Sequence, residues 1–307
     1  MKEPVEDISV VIATFNGEKY LRPQIDSILA QSYAPKEIIV IDDCSVDNTM
    51  NILRGYALLD KRFKIIQNET NLGYIRNFEK GMQIASCALV ALSDQDDIWL
   101  PNKLKTLYSH IGEYLLVYSD SELVDAAGNM LNKKMSHIKN QIAYSSCLMY
   151  TIGAWAPGHS MLMKRELIEK CLPFPSQVTH DFWLGFVATC YSKIQYVNEP
   201  LVYYRQHSDN AIGANTKQSP KIKYTRSRKL KKIRERMKLL YEKCPVENVK
   251  EKQILKTIHE SYQSFSLQNN WKRMSTFFRY RNLILAYKKK SELMKILFSL
   301  KLFFKID

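Results

Sequence analysis

Long runs of purely apolar residues are missing from this 307-residue chain. The stretch 140–163 lacks Lys, Arg, Asp and Glu, but it contains Asn140, Gln141, Ser145, Ser146, Pro157 and His159. An unsolvated helix could not carry those groups through hydrocarbon, so no membrane span is expected. The six cysteines, Cys44, Cys87, Cys147, Cys171, Cys190 and Cys244, form no C-x-x-C pair. Such spacing fits reduced, mostly buried thiols in a cytosolic protein and gives no support to a zinc cluster or a disulfide framework. Glycine and proline are scarce, at 10 each, which excludes collagen-like and low-complexity sequence. The opening Met1-Lys2-Glu3-Pro4-Val5-Glu6-Asp7 is acidic and runs straight into a strand-like segment, so no signal peptide is expected.

What is present is a globular composition, 46% apolar and 25% charged, with a formal net charge of +14. The charge is unevenly placed. Residues 216–307 hold 25 of the 45 Lys and Arg but only 7 of the 31 Asp and Glu, leaving 20 basic against 24 acidic residues in 1–215. A mildly acidic body with a basic tail fits an enzyme docked on an anionic surface better than a nucleic-acid groove. Two units are expected, a catalytic body over 1–213 and a basic helical region over 214–307.

Along the body, two periodicities alternate. Ile8-Ser9-Val10-Val11-Ile12-Ala13 and Glu37-Ile38-Ile39-Val40-Ile41 read as buried strands, each followed by a polar loop and apolar residues at helical spacing. Strands are also expected at 63–66, 88–92, 115–118, 160–163, 194–197 and 201–205. Helices are expected at 18–31, 75–85, 165–171, 180–190 and 221–243. Alternation of this kind implies an α/β protein with a mostly parallel, Rossmann-like sheet, whose ligands bind at the carboxyl ends of the strands. Those ends carry Thr14 and Asn16, then Asp42 and Asp43, then Asp94, Asp96 and Asp97. Helix capping accounts for one Asp at a time. Several carboxylates on one strand end repel one another unless a cation neutralises them.

These residues carry a resemblance. Ser9-Val10-Val11-Ile12-Ala13-Thr14-Phe15-Asn16-Gly17 and Asp42-Asp43-Cys44-Ser45-Val46-Asp47-Asn48-Thr49 are similar to the opening of the family 2 glycosyltransferases. Asn71-Leu72-Gly73, Asp94-Gln95-Asp96-Asp97-Ile98-Trp99, His180-Asp181-Phe182-Trp183 and Tyr204-Arg205-Gln206-His207 resemble its rhamnosyltransferase-like branch in order and spacing. The resemblance implies the glycosyltransferase A fold, a nucleotide-diphospho-sugar donor and Mg²⁺ or Mn²⁺. It implies Thr14, Asn16, Asp43, Arg76 and Asp94 as nucleotide-sugar contacts, Asp96 and His207 as metal ligands, and Asp181 as the general base of an inverting transfer. Trp155 and Trp183 are candidates for stacking on sugar rings. The expected reaction moves a sugar, with L-rhamnose favoured, from a dTDP- or UDP-sugar to a glycan or lipid-linked glycan acceptor in bacterial surface polysaccharide synthesis.

The tail has an apolar seam of Leu230, Ile233, Met237 and Leu240, narrow enough to pack against the body or a partner helix, and further on a separate, nearly all-apolar stretch, 293–304, after Lys288-Lys289-Lys290. That pattern suggests interfacial insertion beside anionic lipid, hence a cytoplasmic enzyme peripheral on the inner face of the plasma membrane. Packing on the body, or pairing in a homodimer through these helices, is the alternative. A nucleic-acid-binding protein is disfavoured because no aromatic residues interleave with the basic run. A nucleotidyltransferase is disfavoured because Thr14-Phe15-Asn16-Gly17 is no Gly-rich phosphate loop.

Overall fold

The computed structural model describes residues 6–207 and 225–305. The boundary drawn at 213/214, the run Ser208-Asp209-Asn210 and the first residues of the expected 221–243 helix lie outside them. The body runs β1 (Ile8–Thr14), α1 (Leu21–Leu29), β2 (Glu37–Asp42), α2 (Thr49–Leu59), β3 (Phe63–Gln67), α3 (Tyr74–Ile84), β4 (Leu89–Ser93), β5 (Ile98–Trp99) and α4 (Lys103–Ile111). It continues with β6 (Leu116–Val124), β7 (Met130–Lys134), α5 (Met135–Ile138), β8 (Met161–Lys164), α6 (Arg165–Cys171), α7 (His180–Tyr191) and β9 (Ile194–Arg205). Two short 3-10 turns, Cys147–Tyr150 and Gly158–Ser160, lie in the 144–160 segment.

The strands form one sheet in the order β3-β2-β1-β4-β8-β6-β9-β5, with β7 paired to β6. The first four in that row are mutually parallel, so the loops after β1, β2 and β4 emerge on one rim. Beyond them β8 runs antiparallel to both β4 and β6, and β6 and β9 are parallel. The expected mostly parallel α/β sheet is present. One expectation changes in detail. The strands foreseen at 194–197 and 201–205 are one strand, β9, whose register against β6 shifts around Asp120 and absorbs Pro200. A bulge lets a strand carry a proline and extra residues without ending.

Side-chain alternation along β1 decides the core. Ile8, Val10 and Ile12 face one apolar cluster with α1, α2 and α4, whereas Val11 faces another with α3, α6 and α7. Full burial of each such side chain contributes about 1.5–3 kcal/mol. Helix α3 lies close over the sheet at Gly81, where a methyl group would come within 2.3 Å of Val11 Cγ1.

The C-terminal region consists of α8 (Arg226–Lys243), α9 (Val249–Ser261), α10 (Leu267–Arg279), α11 (Arg281–Ile284) and α12 (Glu292–Lys301). Its apolar seam does not stand apart. Met237, Leu240, Ile254, Leu255, Ile258, Phe277, Ile284 and Leu302 join the same cluster as Val11 and Trp183, and Leu230 and Ile233 pack at its edge. Asn248 donates to the Cys190 carbonyl at 2.7 Å and Asn140 to the Ala286 carbonyl at 2.6 Å, tying helices to body. The buried guanidinium of Arg273 is held by the carbonyls of Ser261 and Leu302 and by Asn270 Oδ1. On the outer side Leu293, Met294, Leu297 and Phe304 remain exposed, while Phe298 is packed with Lys288 Nζ 4.3 Å above its ring. Phe298 therefore does not join an exposed insertion surface in this conformation. No helix of the described residues is long and apolar enough to cross a membrane.

Cysteine placement also departs from the reading of sequence spacing. The thiols are free, but the sulfurs of Cys147, Cys190 and Cys244 lie within 4.8 Å of one another in the core. They come from the first 3-10 turn, α7 and the end of α8, so separation along the chain hid their proximity.

Candidate active site

A cavity of about 530 Å³ opens on the rim where β1, β2 and β4 end. On its nucleotide side the polar groups first hold the loops in shape. Gln95 Oε1 accepts from Thr14 Oγ1 at 2.7 Å and from Phe15 N at 2.8 Å, clamping the loop after β1 to the loop after β4. Asp43 accepts from Leu72 N at 2.7 Å, Gly73 N at 2.8 Å and Asn68 Nδ2 at 3.0 Å. It thereby pins the Asn71-Leu72-Gly73 turn, where Gly73 adopts φ 82° just before α3. Thr14 and Asp43 both line the cavity.

Two residues expected here are turned to other work. Asn16 is not among the lining residues; its Oδ1 accepts from Val46 N at 2.9 Å and its N–H donates to Ser45 Oγ at 2.8 Å, so it braces two loops together. Arg76 is also absent from the lining. Its guanidinium pairs with Glu79 and donates to the Phe174 carbonyl at 2.9 Å, linking α3 to the chain before α7. Both bonds are made by Nη1, so that end of the guanidinium serves the joint between α3 and the chain before α7. Trp183 likewise is core rather than a sugar platform: it is buried, donates to the Cys171 carbonyl at 2.8 Å and stacks with Phe186. Trp155 does line the cavity.

The acidic end of the cavity is crowded. Burial, then the charges of Asp96 and Asp181, push the Asp94 carboxyl up to about 7. Asp96 Oδ2 lies 2.8 Å from His207 Nε2, bringing together the last loop of the body and the end of β4. Beneath them Asp97 is fully buried; its Oδ1 accepts from Arg205 N at 3.1 Å, and burial with Asp96 and Asp94 nearby raises it well above the usual carboxylate range. A layer that sequence reasoning missed supports this end. The buried Lys103 ammonium donates to the His159 carbonyl at 2.6 Å and sits 3.3 Å over the Trp99 ring. His159 Nδ1 is 3.8 Å from both Asp94 Oδ2 and Asp97 Oδ2, and its Nε2 is 2.9 Å from Ser121 Oγ. Burial and the Lys103 charge push His159 down to about 3, so it is neutral. Only the four-residue interval from Trp99 to Lys103 hinted at this pairing; nothing local placed His159 beneath Asp94.

Carboxylates and imidazoles are the oxygen and nitrogen donors a divalent cation uses, and their mutual repulsion here is the electrostatic condition that a cation relieves. Asp94, Asp97 and His159 have ligand atoms within 4.8 Å of one another, and Asp96 with His207 forms a second donor pair on the same strand end. The residues fit a divalent ion. Asp181 completes the rim. It stands in the first turn of α7, where its Oδ1 accepts from Thr179 Oγ1 and from Phe182 N at 2.7 Å, and its Oδ2 has no hydrogen-bond partner among the described residues.

Thr14 and Asp43 beside acidic groups and an open carboxylate oxygen, all on one sheet rim, form the architecture whose family can now be stated. The model of glycosyl transferase family 2 matches residues 9–172. The chain belongs to that family. It is 30% identical over 228 residues to a glycosyltransferase of Methanocaldococcus jannaschii, covering 71% of this chain and 77% of that one. It is 29% identical over 232 residues to the dTDP-rhamnosyl transferase RfbG of Shigella flexneri, covering 70% and 77%. Among solved structures, Staphylococcus aureus TarS 1-349 in complex with UDP-GlcNAc superposes with a TM-score of 0.59 at 19% identity, covering 91% of this chain and 81% of that one. The glycosyltransferase assignment and the fold expected from the motifs are therefore established for this family 2 enzyme.

Proposed function

We propose that this family 2 glycosyltransferase carries out an inverting, divalent-cation-dependent sugar transfer from a dTDP- or UDP-sugar. The observation that carries the reading is the convergence of Asp94, Asp96 and Asp181 on one cavity whose other side is bounded by Thr14 and Asp43. Thr14 and Asp43 hold the nucleoside; Asp43 Oδ2, accepting one backbone N–H, has capacity to accept a pyrimidine N–H. Asp94, Asp96 and His207 would hold Mg²⁺ or Mn²⁺, which when bound neutralises the charge of the departing diphosphate. Asp181 Oδ2 takes the proton from the acceptor hydroxyl as that oxygen attacks the anomeric carbon. The bond from that carbon to the diphosphate breaks, and the nucleoside diphosphate leaves with the electron pair. Attack opposite the leaving group inverts the centre.

The rhamnosyl donor is supported by motif order and by RfbG, whose name specifies dTDP-rhamnosyl transfer. A glycan or lipid-linked glycan acceptor in bacterial surface polysaccharide synthesis, presented at the inner face of the plasma membrane, is consistent with the basic helices and with exposed Leu297 and Phe304. The deciding experiment measures hydrolysis and transfer over a panel of dTDP- and UDP-sugars with Mn²⁺ or Mg²⁺, for the wild type and Asp181→Asn. The variant should keep donor affinity and lose transfer by about 10²–10⁴-fold, as expected when a general base is removed. Equal loss of donor affinity, or cation-independent turnover by the wild type, overturns the mechanism.

A further inference from the structure

The cavity has a second wall, made by α3, the start of α7 and the 144–159 segment, and its polar atoms are left without partners. His180 is 7% exposed, and neither Nδ1 nor Nε2 has a hydrogen-bond partner among the described residues. The same holds for the buried Tyr150 Oη and Trp155 Nε1, and all three residues line the cavity. An apolar ring would fill the place of His180 equally well, because the imidazole stacks on Phe78 at 4.2 Å and meets Tyr74 edge-on at 5.7 Å. Native proteins rarely leave buried hydrogen-bonding atoms unmatched, and a cluster of them around one cavity points to a ligand that matches them. The fit is also specific. A methyl group on Gly158 would come within 2.6 Å of His180 Nε2, so the absence of a side chain there is what admits the ring.

We propose that His180, together with Tyr150 and Trp155, forms a hydroxyl-reading subsite for the sugar of the donor and so determines which sugar is transferred. The inference rests on the donor reading above. His180 stands between Asp181 at the start of α7 and helix α3, whose leading Gly73 is held by Asp43. A donor with its nucleoside at Asp43 and its diphosphate at Asp94 and Asp96 carries its sugar into that interval. Burial lowers the affinity of the imidazole for a second proton, and the neutral ring then offers one donor and one acceptor to sugar hydroxyls. Such a site rejects a sugar lacking the matching hydroxyl far more strongly than an apolar pocket rejects a misfit methyl, because the protein atoms are then left unpaired.

The test uses the full chain with Mn²⁺ and measures donor hydrolysis for dTDP-rhamnose, dTDP-glucose, UDP-glucose, UDP-galactose and UDP-N-acetylglucosamine, with calorimetry of dTDP and UDP binding alongside. His180→Phe keeps the packing but removes both hydrogen-bonding nitrogens. It should lower kcat/KM for the preferred donor by at least about tenfold and compress the spread across the panel, while dTDP and UDP bind as to the wild type. His180→Gln, which can donate and accept, should recover part of the discrimination. Gly158→Ala, which displaces the ring, should reproduce the loss. Full discrimination retained by His180→Phe overturns the subsite alone. A wild-type chain that binds no nucleoside diphosphate and hydrolyses no donor overturns the donor reading and the subsite with it.

Discussion

The sheet rim and the C-terminal helices share one apolar cluster, yet they handle charge in opposite ways. On the rim, carboxylates of one sign are drawn together until Asp94 is pushed up to about 7 and the buried Asp97 is also raised well above the usual carboxylate range, with Lys103 buried beneath them. In the helices, cations are spread over the outside, and the buried Arg273 is met by carbonyls and by the rings of Tyr262 and Phe265. Concentrated like charge is costly and persists where a ligand makes use of it, whereas dispersed charge costs little and acts through the surface it faces.

The sharpest way to break this contrast is at Asp96. Asp96→Asn removes one anion from the rim and should lower cation-dependent turnover by about 10²–10³-fold, the range for losing one preorganised electrostatic group, with the far-UV spectrum unchanged. Wild-type rates in that variant without added cation would show that the crowding serves another purpose. In the helices the corresponding substitution is Arg273→Met, which keeps bulk but strands the Ser261 and Leu302 carbonyls. Each buried acceptor left unmatched costs about 1–3 kcal/mol, so the urea midpoint should fall while kcat of the folded enzyme holds.

A smaller effect tests the outward side. Phe304→Ser removes an exposed ring worth at most about 1.5–3 kcal/mol when fully buried in an interface, and should weaken co-sedimentation with anionic vesicles without changing donor hydrolysis. Unchanged sedimentation, or a wild type that ignores such vesicles at low salt, would assign that side of α12 to protein contacts. A pH trend tests the rim once more. Because Asp94 titrates higher in the folded chain than when unfolded, the cation-free native state holds the extra proton between about pH 4 and 7, and the contribution of this group to stability declines as pH rises through that window. Asp94→Asn abolishes the decline, so its melting temperature relative to wild type should climb from pH 5 to pH 8 without cation, and saturating Mn²⁺, which stabilises the wild type more than a chain lacking one of the ligands, should reverse that trend.

How much of this was legible in the sequence depended on distance along the chain. Strand ends and the loops after them are local, so the placement of Thr14, Asp43, Asp94 and Asp181 on one cavity could be read from short runs. The role of Arg76 could not, because its partners are Glu79 and a carbonyl 98 residues away. Nor could the Lys103–His159 contact, separated by 56 residues, or the antiparallel insertion of β8 between β4 and β6. Helical periodicity found the seam of α8 but left open whether the body or a partner helix covers it. That answer came from packing with Trp183 and its neighbours, which turned a supposed sugar platform into core.

The three clustered thiols make the joint between body and helices observable in time. Cys147 and Cys190 belong to the body and Cys244 to the end of α8, and all three are sealed from solvent. Alkylating reagents reach a sealed sulfur only during the moments when its surroundings open, so the labelling rate under native conditions counts those openings. If the helices lift off as a unit, Cys244 and Cys190 should be tagged together and faster than the fully buried Cys171 at the end of α6. A single common rate would mean that body and helices come apart only when the whole molecule unfolds. The enzyme thus carries its own clock for asking whether its basic helices ever leave the catalytic body.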